Sequence, residues 1–410
     1  MGISSGRLVI RKLMAFLFLL PTLLMAQSGI GGGSVRNLTS PNFAGNISPY
    51  LMPHWVACTA KVKINAGNCR VYAVGDSTTY GDYSTNTSDT GDITVLSWPT
   101  LLAKQLNSTL MPANRDSVMG AANGLAPEFG NDARLVIGSG WTALNSPSTG
   151  GLLYSASAAT ASLAFTPTGQ VNQFKLWYVT NNGGIGTYAV DAGGTTTFSS
   201  GGAAGLTSVT IAAGAVGSHT LNLNWSSGAA IYVVGIEASN TTVGSIQVTN
   251  CGIGGAGAGT VAGISYASAV APWSPLNAVP TQAPDVVLID LGINNWQGAN
   301  STSVAVFTTN LQAMITAWKA TSDVILTPGP PSSISVVALA TQQQYITAMY
   351  QLAITNQIPI IDLFDRWGSY ERANIAPFLF YGHILHPNGP GYSDFAQAIS
   401  TQLLSVIGGK

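Results

Sequence analysis

The sequence predicts an α/β protein that carries a second, all-β part. Strand-like apolar runs alternate with helix-like segments in residues 69–110 and 245–410. This alternation is typical of a parallel sheet with helices on both faces, a flavodoxin-like three-layer α/β/α sandwich. Residues 111–244 instead contain short β-branched and aromatic runs separated by Gly, Asn and Ser clusters. Such a pattern predicts an antiparallel, jelly-roll-like β-sandwich inserted into the α/β domain.

Composition narrows the class of protein. Charged residues make up 8% of the 410 residues, whereas ordinary soluble domains have about 25%. A hydrophobic content of 46% provides for a sizeable core. This balance suits an extracellular or periplasmic protein with a neutral surface. The net charge of −1 gives no electrostatic reason to expect nucleic acid or an anionic membrane as a partner.

The N-terminus, residues 1–26, has the pattern of a signal peptide. Basic residues up to Lys12 precede the almost wholly apolar run 13–25, and about 14 apolar residues are too few to span a bilayer. We therefore expect a secreted or periplasmic protein with no membrane span after cleavage, and an uncleaved anchor is the alternative. Residues 27–68 are rich in Gly, Ser and Asn and predict an extended lead-in.

The three cysteines fall into two groups. Cys58 and Cys69 lie in one short stretch, and in an exported protein they could close a small loop as a disulfide. Cys251 is left over, and we interpret it as a small buried apolar residue.

The first strand of the α/β part ends in a turn that presents a serine. The apolar run 71–74 predicts a buried strand, and Gly-Asp-Ser follows it, ending at Ser77. Ligands of open α/β sheets bind at the carboxyl ends of strands. A serine there can act as a nucleophile if a base and oxyanion donors reach it. Helical spacing over 98–106, with a Pro near its start, predicts the next helix.

The expected insert is rich in strand signals and aromatic residues. Its clearest runs are 173–179, 187–190, 208–211, 220–225 and 231–236. Insertion at an exposed loop is structurally tolerated. Some aromatic side chains could stack on sugar rings, as in a carbohydrate-binding module, or could belong to the core. These candidates are Trp141, Trp177, Tyr178 and Trp225.

The C-terminal part returns to alternating strands and helices. Strands are predicted at 287–291, 323–327 and 358–361, and helices over 304–320, 341–355 and 396–407. These elements complete the α/β domain that begins at residue 69.

Three further polar segments follow the Gly-Asp-Ser turn in order along the chain. Asn250 opens the glycine-rich Asn-Cys-Gly-Ile-Gly-Gly segment, Asn294 lies in a Gly-Ile-Asn-Asn turn, and His386 begins a His-Pro-Asn sequence. Together the four segments resemble the sequence blocks GDS, N-x-G-x-x-G, G-x-N-D and D-x-x-H-P-N of the SGNH (GDSL-type) hydrolase family. The resemblance covers residues 69–110 and 245–410.

The resemblance implies roles for individual residues. It makes Ser77 the nucleophile and His386 the general base, with no cofactor and no metal. The oxyanion donors would be the backbone N–H groups of Ser77 and Gly252 and the side-chain amide of Asn294. Such preorganised donors stabilise the negative oxygen of the tetrahedral intermediate, and losing one costs about 3 kcal/mol.

The sequence departs from the family pattern at two positions. Asn295 stands where the family has Asp, and His383 stands three residues before the base, where the family has its acid. A carboxylate there would hold the base in the correct tautomer and stabilise its imidazolium. Either a backbone carbonyl orients His386, or an acid comes from elsewhere. Asp362 is the first substitute, with a structural helix cap as its alternative role.

These observations predict an exported serine esterase that works through a Ser-His acyl-enzyme. By analogy, we expect its substrate to be ester groups, O-acetyl in particular, on a polysaccharide. One alternative is a lipase or acylhydrolase of the same family. The other is a catalytically impaired carbohydrate-binding or interaction protein, which His383 in the acid position motivates.

Overall fold

The computed structural model describes residues 44–85, 93–109, 111–120, 132–181, 183–259, 265–297, 301–376, 378 and 380–408. The expected signal peptide lies outside these residues. Throughout the described part of the chain, no helix has the length and apolar character needed to cross a membrane.

The described strands, in chain order, are β1 (Ala44–Gly45), β2 (Cys69–Gly75), β3 (Ala113–Asn114), β4 (Val118–Met119), β5 (Leu135–Ile137), β6 (Trp141–Ser148), β7 (Gly151–Ala156), β8 (Ser162–Phe165), β9 (Val171–Thr180), β10 (Ile185–Val190), β11 (Thr196–Ser199), β12 (Gly205–Gly217), β13 (Leu221–Ser227), β14 (Ile231–Ser239), β15 (Ile246–Gly252), β16 (Val286–Asp290), β17 (Asp323–Leu326) and β18 (Ile360–Ile361).

The described helices are α1 (Pro53–Lys63), α2 (Ser77–Tyr80), α3 (Ile93–Leu96), α4 (Trp98–Ser108), α5 (Pro275–Gln282), α6 (Ile293–Trp296), α7 (Val304–Trp318), α8 (Leu339–Asn356), α9 (Leu363–Trp367), α10 (Tyr370–Ala373) and α11 (Gly389–Val406), with a short 3₁₀ helix at Pro49–Leu51. The helices expected over 98–106, 304–320 and 341–355 are therefore present as α4, α7 and α8.

A mixed sheet forms the centre of the α/β part, in the order β1-β18-β17-β16-β2-β15-β3. Its neighbouring strands are parallel, except that the edge strand β1 runs antiparallel to β18. The sheet is thus mixed rather than wholly parallel. The edge strand β3 lies within the range 111–244 expected for the insert, yet it pairs with β15 of this sheet.

Both faces of the central sheet are buried, which produces the three layers. Along β2, Tyr72 and Val74 belong to one hydrophobic cluster, while Val71 and Ala73 belong to another. Successive strand residues point to opposite faces, so the continuous apolar run reflects burial on both sides. Helices α5, α7 and α8 contribute to the first cluster, and α1, α4 and α11 contribute to the second.

The expected extended lead-in contains helix α1, so that interpretation was wrong for its second half. Pro53 begins the helix, where its missing N–H costs nothing. Trp55 is fully buried, and the carboxylate of Asp323 accepts from its backbone N–H at 2.7 Å. A disulfide joins Cys58 of α1 to Cys69 of β2, which confirms the predicted pairing. Long-range packing thus stabilises a helix in a segment whose composition suggested none.

The last helix begins seven residues earlier than the expected start at 396. The side chain of Asn388 accepts from the N–H of Gly391 at 3.0 Å and caps the helix, and Pro390 follows in the first turn. Asn at the cap and Pro in the first turn are typical of a helix start, but the sequence prediction began the helix only at 396.

The described residues between 118 and 239 form two antiparallel sheets. One has the order β12-β9-β14-β7-β6, with β4 paired to β14, and the other has the order β11-β10-β13-β8-β5. Side chains from both sheets share one hydrophobic cluster; examples are Phe174 of β9 and Leu223 of β13. This arrangement is compatible with the predicted β-sandwich insert.

Candidate active site

The candidate nucleophile lies where the sequence predicted it, at the carboxyl end of β2. Ser77 begins the short helix α2, and the side chain of Asp76 caps that helix by accepting from the N–H of Thr78 at 2.9 Å. The preceding Gly75 has no room for a side chain. A Cβ there would lie 2.0 Å from Oγ1 of Thr79 and 2.5 Å from the carbonyl oxygen of Asp290. The glycine therefore lets the strand end pack closely under α2.

His386 reaches the candidate nucleophile from the loop before α11. Its Nε2 lies 2.8 Å from Oγ of Ser77, although the two residues are 309 positions apart. His386 is 8% exposed. Burial, and secondarily the neighbouring His383, lower the pKa of His386 to about 3. The imidazole is therefore neutral at neutral pH, as a base that takes a serine proton must be.

The other ring nitrogen of His386 lacks the expected partner. Nδ1 is buried and makes no hydrogen bond to any described residue. The His383 ring lies beside it, with ring centroids 5.5 Å apart and planes 20° apart, but no hydrogen bond joins the two rings. His383 therefore does not occupy the orienting role in this geometry.

Asp362 has the structural role that was its alternative. Its carboxylate caps α9 and accepts from the N–H of Asp365 at 2.9 Å, and Tyr350 also donates to it. Burial raises the pKa of Asp362 to about 7. Asp362 does not hydrogen-bond Nδ1 of His386, so its interpretation as a substitute acid is not supported.

Gly252 lies beside the nucleophile, but its N–H is already engaged. In the parallel pairing of β15 with β2, Gly252 stands opposite Gly75. Its N–H donates to Oδ1 of Asn250 at 2.9 Å, so it is not free to meet an oxyanion. A Cβ at Gly252 would lie 2.2 Å from the backbone nitrogen of Tyr80, which makes close packing its structural role.

The turn that follows β15 contains unengaged donors. The N–H groups of Gly254 and Gly255 donate to no described residue, and Gly255 has a φ of 74°. Positive φ favours glycine. The family pattern implied the donor at Gly252, and it did not take into account the local hydrogen bond from Gly252 to Asn250, two residues earlier.

Asn294 lies at the start of α6, after the neighbouring strand β16. Its Nδ2 donates to the carbonyl of Ala256 at 2.9 Å, and its Oδ1 accepts from Gln297. Because Nδ2 carries two hydrogens, one remains for another acceptor. Asn295, where the family pattern has Asp, accepts from the N–H of Ala258 and donates to Oγ1 of Thr302. An amide therefore satisfies both of these contacts.

Two tyrosines at the site escaped prediction. The hydroxyl of Tyr266 hydrogen-bonds the carbonyls of Gly75 and Cys251 and so joins the ends of β2 and β15. Tyr83 stacks on the His383 ring, with centroids 4.7 Å apart, and on the His386 ring, with centroids 5.4 Å apart. Neither tyrosine belongs to a motif, so only the fold reveals these contacts.

A buried polar cluster lies beneath α2. Oδ2 of Asp290 accepts from the hydroxyl of Thr79 at 2.8 Å, and Nε1 of Trp98 donates to the same hydroxyl. Burial, and secondarily Asp76, raise the pKa of Asp290 well above its usual value. The cluster joins the ends of β16 and α4 to the helix that carries the nucleophile.

Among the described residues, one group of potential metal ligands has its ligand atoms close together: Cys58, Cys69 and Asp285. The two cysteines are joined as a disulfide, so they offer no thiolate. Cys251 is buried and free, as predicted.

Comparisons with known proteins agree with the motif pattern. Residues 228–393 match the GDSL-like lipase/acylhydrolase family model, a range that includes Asn294 and His386 but not Ser77. No curated protein matches the chain in sequence.

Solved structures align with the chain at low sequence identity. A peptidoglycan O-acetylesterase aligns with a TM-score of 0.66 at 16% identity, over 90% of this chain and 100% of its own. A family two carbohydrate esterase from Clostridium thermocellum, in complex with cellohexaose, aligns with a TM-score of 0.31 at 12% identity, over 67% of this chain and 100% of its own. A lipase/acylhydrolase from Enterococcus faecalis aligns with a TM-score of 0.33 at 20% identity, over 40% of this chain and 80% of its own.

Proposed function

Because the chain belongs to the SGNH (GDSL-type) hydrolase family and is a carboxylic ester hydrolase, we propose that it removes O-acetyl groups from a polysaccharide through a serine acyl-enzyme. The observation that carries the proposal is the 2.8 Å hydrogen bond between Oγ of Ser77 and Nε2 of His386. It joins a nucleophile to a neutral base at the carboxyl end of a sheet strand, where ligands of this fold bind.

In the proposed reaction, His386 takes the proton of Ser77 as Oγ attacks the ester carbonyl carbon. The tetrahedral intermediate then collapses, and the imidazolium gives its proton to the leaving sugar oxygen. The same imidazole then takes a proton from water as the water oxygen attacks the acyl carbon. The second tetrahedral intermediate collapses with cleavage of the bond to Oγ of Ser77, the imidazolium returns the proton to Oγ, and acetic acid leaves and ionises to acetate. This sequence uses one base twice and needs no other proton carrier.

The oxyanion needs donors in addition to the base. The backbone N–H of Ser77 and the second hydrogen on Nδ2 of Asn294 keep the roles that the family pattern implied. Since the N–H of Gly252 is engaged by Asn250, we assign the third donor to the following turn, where the N–H of Gly255 donates to no described residue.

The proposed substrate class is supported by the likeness in fold to a peptidoglycan O-acetylesterase, which aligns with a TM-score of 0.66 over 90% of this chain. A signal-peptide pattern at residues 1–26 is compatible with export, to the periplasm or beyond, where such polymers lie. The proposed substrate is therefore an acetylated polysaccharide outside the cytoplasm.

The proposed β-sandwich insert at residues 111–244 is the candidate for polymer binding. Its expected stacking residues differ in exposure. Trp141 and Trp177 are buried, whereas Tyr178 and Trp225 are half-buried and pack against the sandwich core. A sugar-binding face of the insert would therefore rest on Tyr178, Trp225 or other side chains.

The proposal is tested by labelling and by product release. A fluorophosphonate probe should label the protein at Ser77, and Ser77→Ala should abolish both labelling and acetate release from an O-acetylated polysaccharide. The same polymer after chemical de-acetylation is the control. Faster hydrolysis of long than of short acyl esters would favour a lipase or acylhydrolase. A folded protein that neither reacts with the probe nor releases acetate would favour the impaired binding protein.

A further inference from the structure

Nothing in the described part of the chain holds His386 through Nδ1. That nitrogen is buried and makes no hydrogen bond to the described residues, so the ring is held by one hydrogen bond, between Nε2 and Oγ of Ser77. One hydrogen bond leaves the plane of the imidazole free to rotate about the bond axis. A base that must take a proton and return it needs that plane fixed.

The ring of Tyr83 makes a face contact with the His386 ring, and such a contact can fix the plane of the imidazole. The tyrosine ring lies nearly parallel to the His386 ring, at 14°, and nearly parallel to the His383 ring, at 13°. The two imidazoles are themselves 20° apart. The three rings are nearly parallel, and their centroids form a triangle with sides of 4.7, 5.4 and 5.5 Å. Rotation of the His386 ring out of its plane would therefore break its offset face contact with Tyr83.

The turn that contains Tyr83 is hydrogen-bonded to the backbone of Ser77. The N–H groups of Gly81 and Asp82 both donate to the carbonyl of Ser77, at 2.9 and 3.1 Å. The hydroxyl of Tyr392, in α11, donates to the carbonyl of Asp82 at 2.7 Å. The stacking ring is thus tied both to the residue that His386 must deprotonate and to the helix that follows His386.

The backbone of Tyr83 is in a conformation that a tyrosine rarely adopts. Its φ is 60°, in the left-handed region, where a residue with a large side chain is an outlier. Such strain costs about 1–3 kcal/mol and persists where surrounding structure enforces it, often at functional sites. Asn or Gly would relieve the strain but would remove the ring.

We propose that Tyr83 is a positioning residue that fixes the plane of the His386 imidazole by stacking and stabilises its imidazolium through the negative face of the phenol ring. This inference rests on the proposed function. The face of an aromatic ring attracts a cation held over it, and the orienting carboxylate of a triad serves the same two purposes through a hydrogen bond. Tyr83 thus compensates in part for His383 in the acid position.

The test compares Tyr83→Leu with Tyr83→Phe. Leu keeps an apolar side chain and the same backbone strain but removes the ring, whereas Phe keeps the ring and removes the hydroxyl. With an aryl acetate as substrate, we expect Tyr83→Leu to lower kcat about tenfold with KM nearly unchanged, and Tyr83→Phe to retain most of the rate. Tyr50→Leu, at a fully exposed tyrosine, is the matched control and should behave as wild type.

Two further measurements separate a positioning role from a structural one. Thermal unfolding shows whether each variant folds. The NMR signals of the His386 ring, followed in the Ser77→Ala background, should be sharp with Tyr83 or Phe and broadened by exchange with Leu. A folded Tyr83→Leu protein with wild-type kcat and a sharp imidazole signal would overturn the proposal. So would an equal loss of rate in the Phe and Leu variants.

The outcomes also separate this inference from the proposed function. If the wild type is not labelled at Ser77, the proposed esterase activity fails, yet the NMR comparison still decides whether Tyr83 orders the imidazole. If the wild type is labelled and Tyr83→Leu is labelled at the same rate, the activity stands and the role of Tyr83 fails.

Discussion

At the scale of the residue, burial governs the protonation of the candidate base. Burial and the neighbouring His383 lower the pKa of His386 to about 3, because a buried imidazolium loses hydration that no described partner replaces. A depressed pKa keeps the base neutral down to acidic pH. The same depression makes the imidazolium costly during turnover, which is why a stabilising contact matters at this position.

The first prediction concerns the pH dependence of kcat/KM, which reports the pKa of the free base. Only neutral His386 can take the proton, and its neutral form persists well below the usual histidine pKa of about 6.5. We therefore expect kcat/KM to stay nearly constant from about pH 7 to about pH 5. An acidic limb, that is, a fall of kcat/KM with decreasing pH, near the usual histidine pKa would mean that the ring is hydrated or is not the base.

The second prediction concerns the position of the absent acid. His383→Asp should raise kcat, because a carboxylate beside Nδ1 stabilises the imidazolium. It should also raise the pKa of His386, since an opposite charge favours the protonated form, so the acidic limb of kcat/KM should move upward. The uncharged His383→Asn is the matched control. If neither the rate nor the limb changes in a folded protein, position 383 does not face the base.

At the scale of the element, the site depends on how closely strand ends and short helices pack. The end of β15 lies against α2 at Gly252, and the hydroxyl of Tyr266 joins the carbonyls of Gly75 and Cys251 behind them. The candidate nucleophile Ser77 is therefore held by two neighbouring strands as well as by its own helix.

The third prediction tests this packing. Gly252→Ala would place a Cβ 2.2 Å from the backbone nitrogen of Tyr80, so α2 or β15 must shift. Overpacking of this kind costs about 1–3 kcal/mol, and the shift should lower kcat by displacing Ser77. Gly194→Ala, where a Cβ would meet nothing within 4 Å, is the control. Urea unfolding and kcat of the two variants check the prediction, and equal behaviour would contradict it.

At the scale of the whole molecule, one antiparallel sheet, β12-β9-β14-β7-β6 with β4, is packed onto the central sheet. Glu237 of β14 accepts hydrogen bonds from Tyr72 of β2 at 2.8 Å, from Trp177 of β9 at 3.1 Å, and from Arg70 of β2. Met119 and Val179 share a hydrophobic cluster with Tyr72 and other central residues. Deleting the sandwich would therefore expose part of the α/β core, so single substitutions are the sharper test of its role.

The fourth prediction concerns Glu237. Glu237→Gln removes the charge that pairs with Arg70 while keeping the side-chain size, and breaking one partner of a buried ion pair costs about 3–5 kcal/mol. We expect a clear fall in the free energy of unfolding, with both sheet regions unfolding together. The control is Asp191→Asn, which alters the exposed contact with His219. Separate unfolding transitions in the wild type would contradict this coupling.

Residue order along the chain was sufficient to predict the structural features that depend only on residues close together in the sequence. The strand and turn before Ser77, the helices α4, α7 and α8, and the short runs that become antiparallel strands all follow from local hydrophobic pattern and turn chemistry. The same patterns carried the four motifs from which the family and the pair Ser77 and His386 were predicted. These predictions require only the order of the residues, which is the same in the folded and the unfolded chain.

Tertiary structure alone decided which atoms meet. Whether Asp362 reaches His386 and whether Trp177 faces solvent depend on contacts between distant segments. The helix α1 likewise forms because Trp55 is buried and Asp323 binds its N-terminus. Such contacts form only when the entire core is assembled, because ordering the chain to form each one costs conformational entropy that local interactions cannot offset. The stack of Tyr83 on His386 is a contact of this kind.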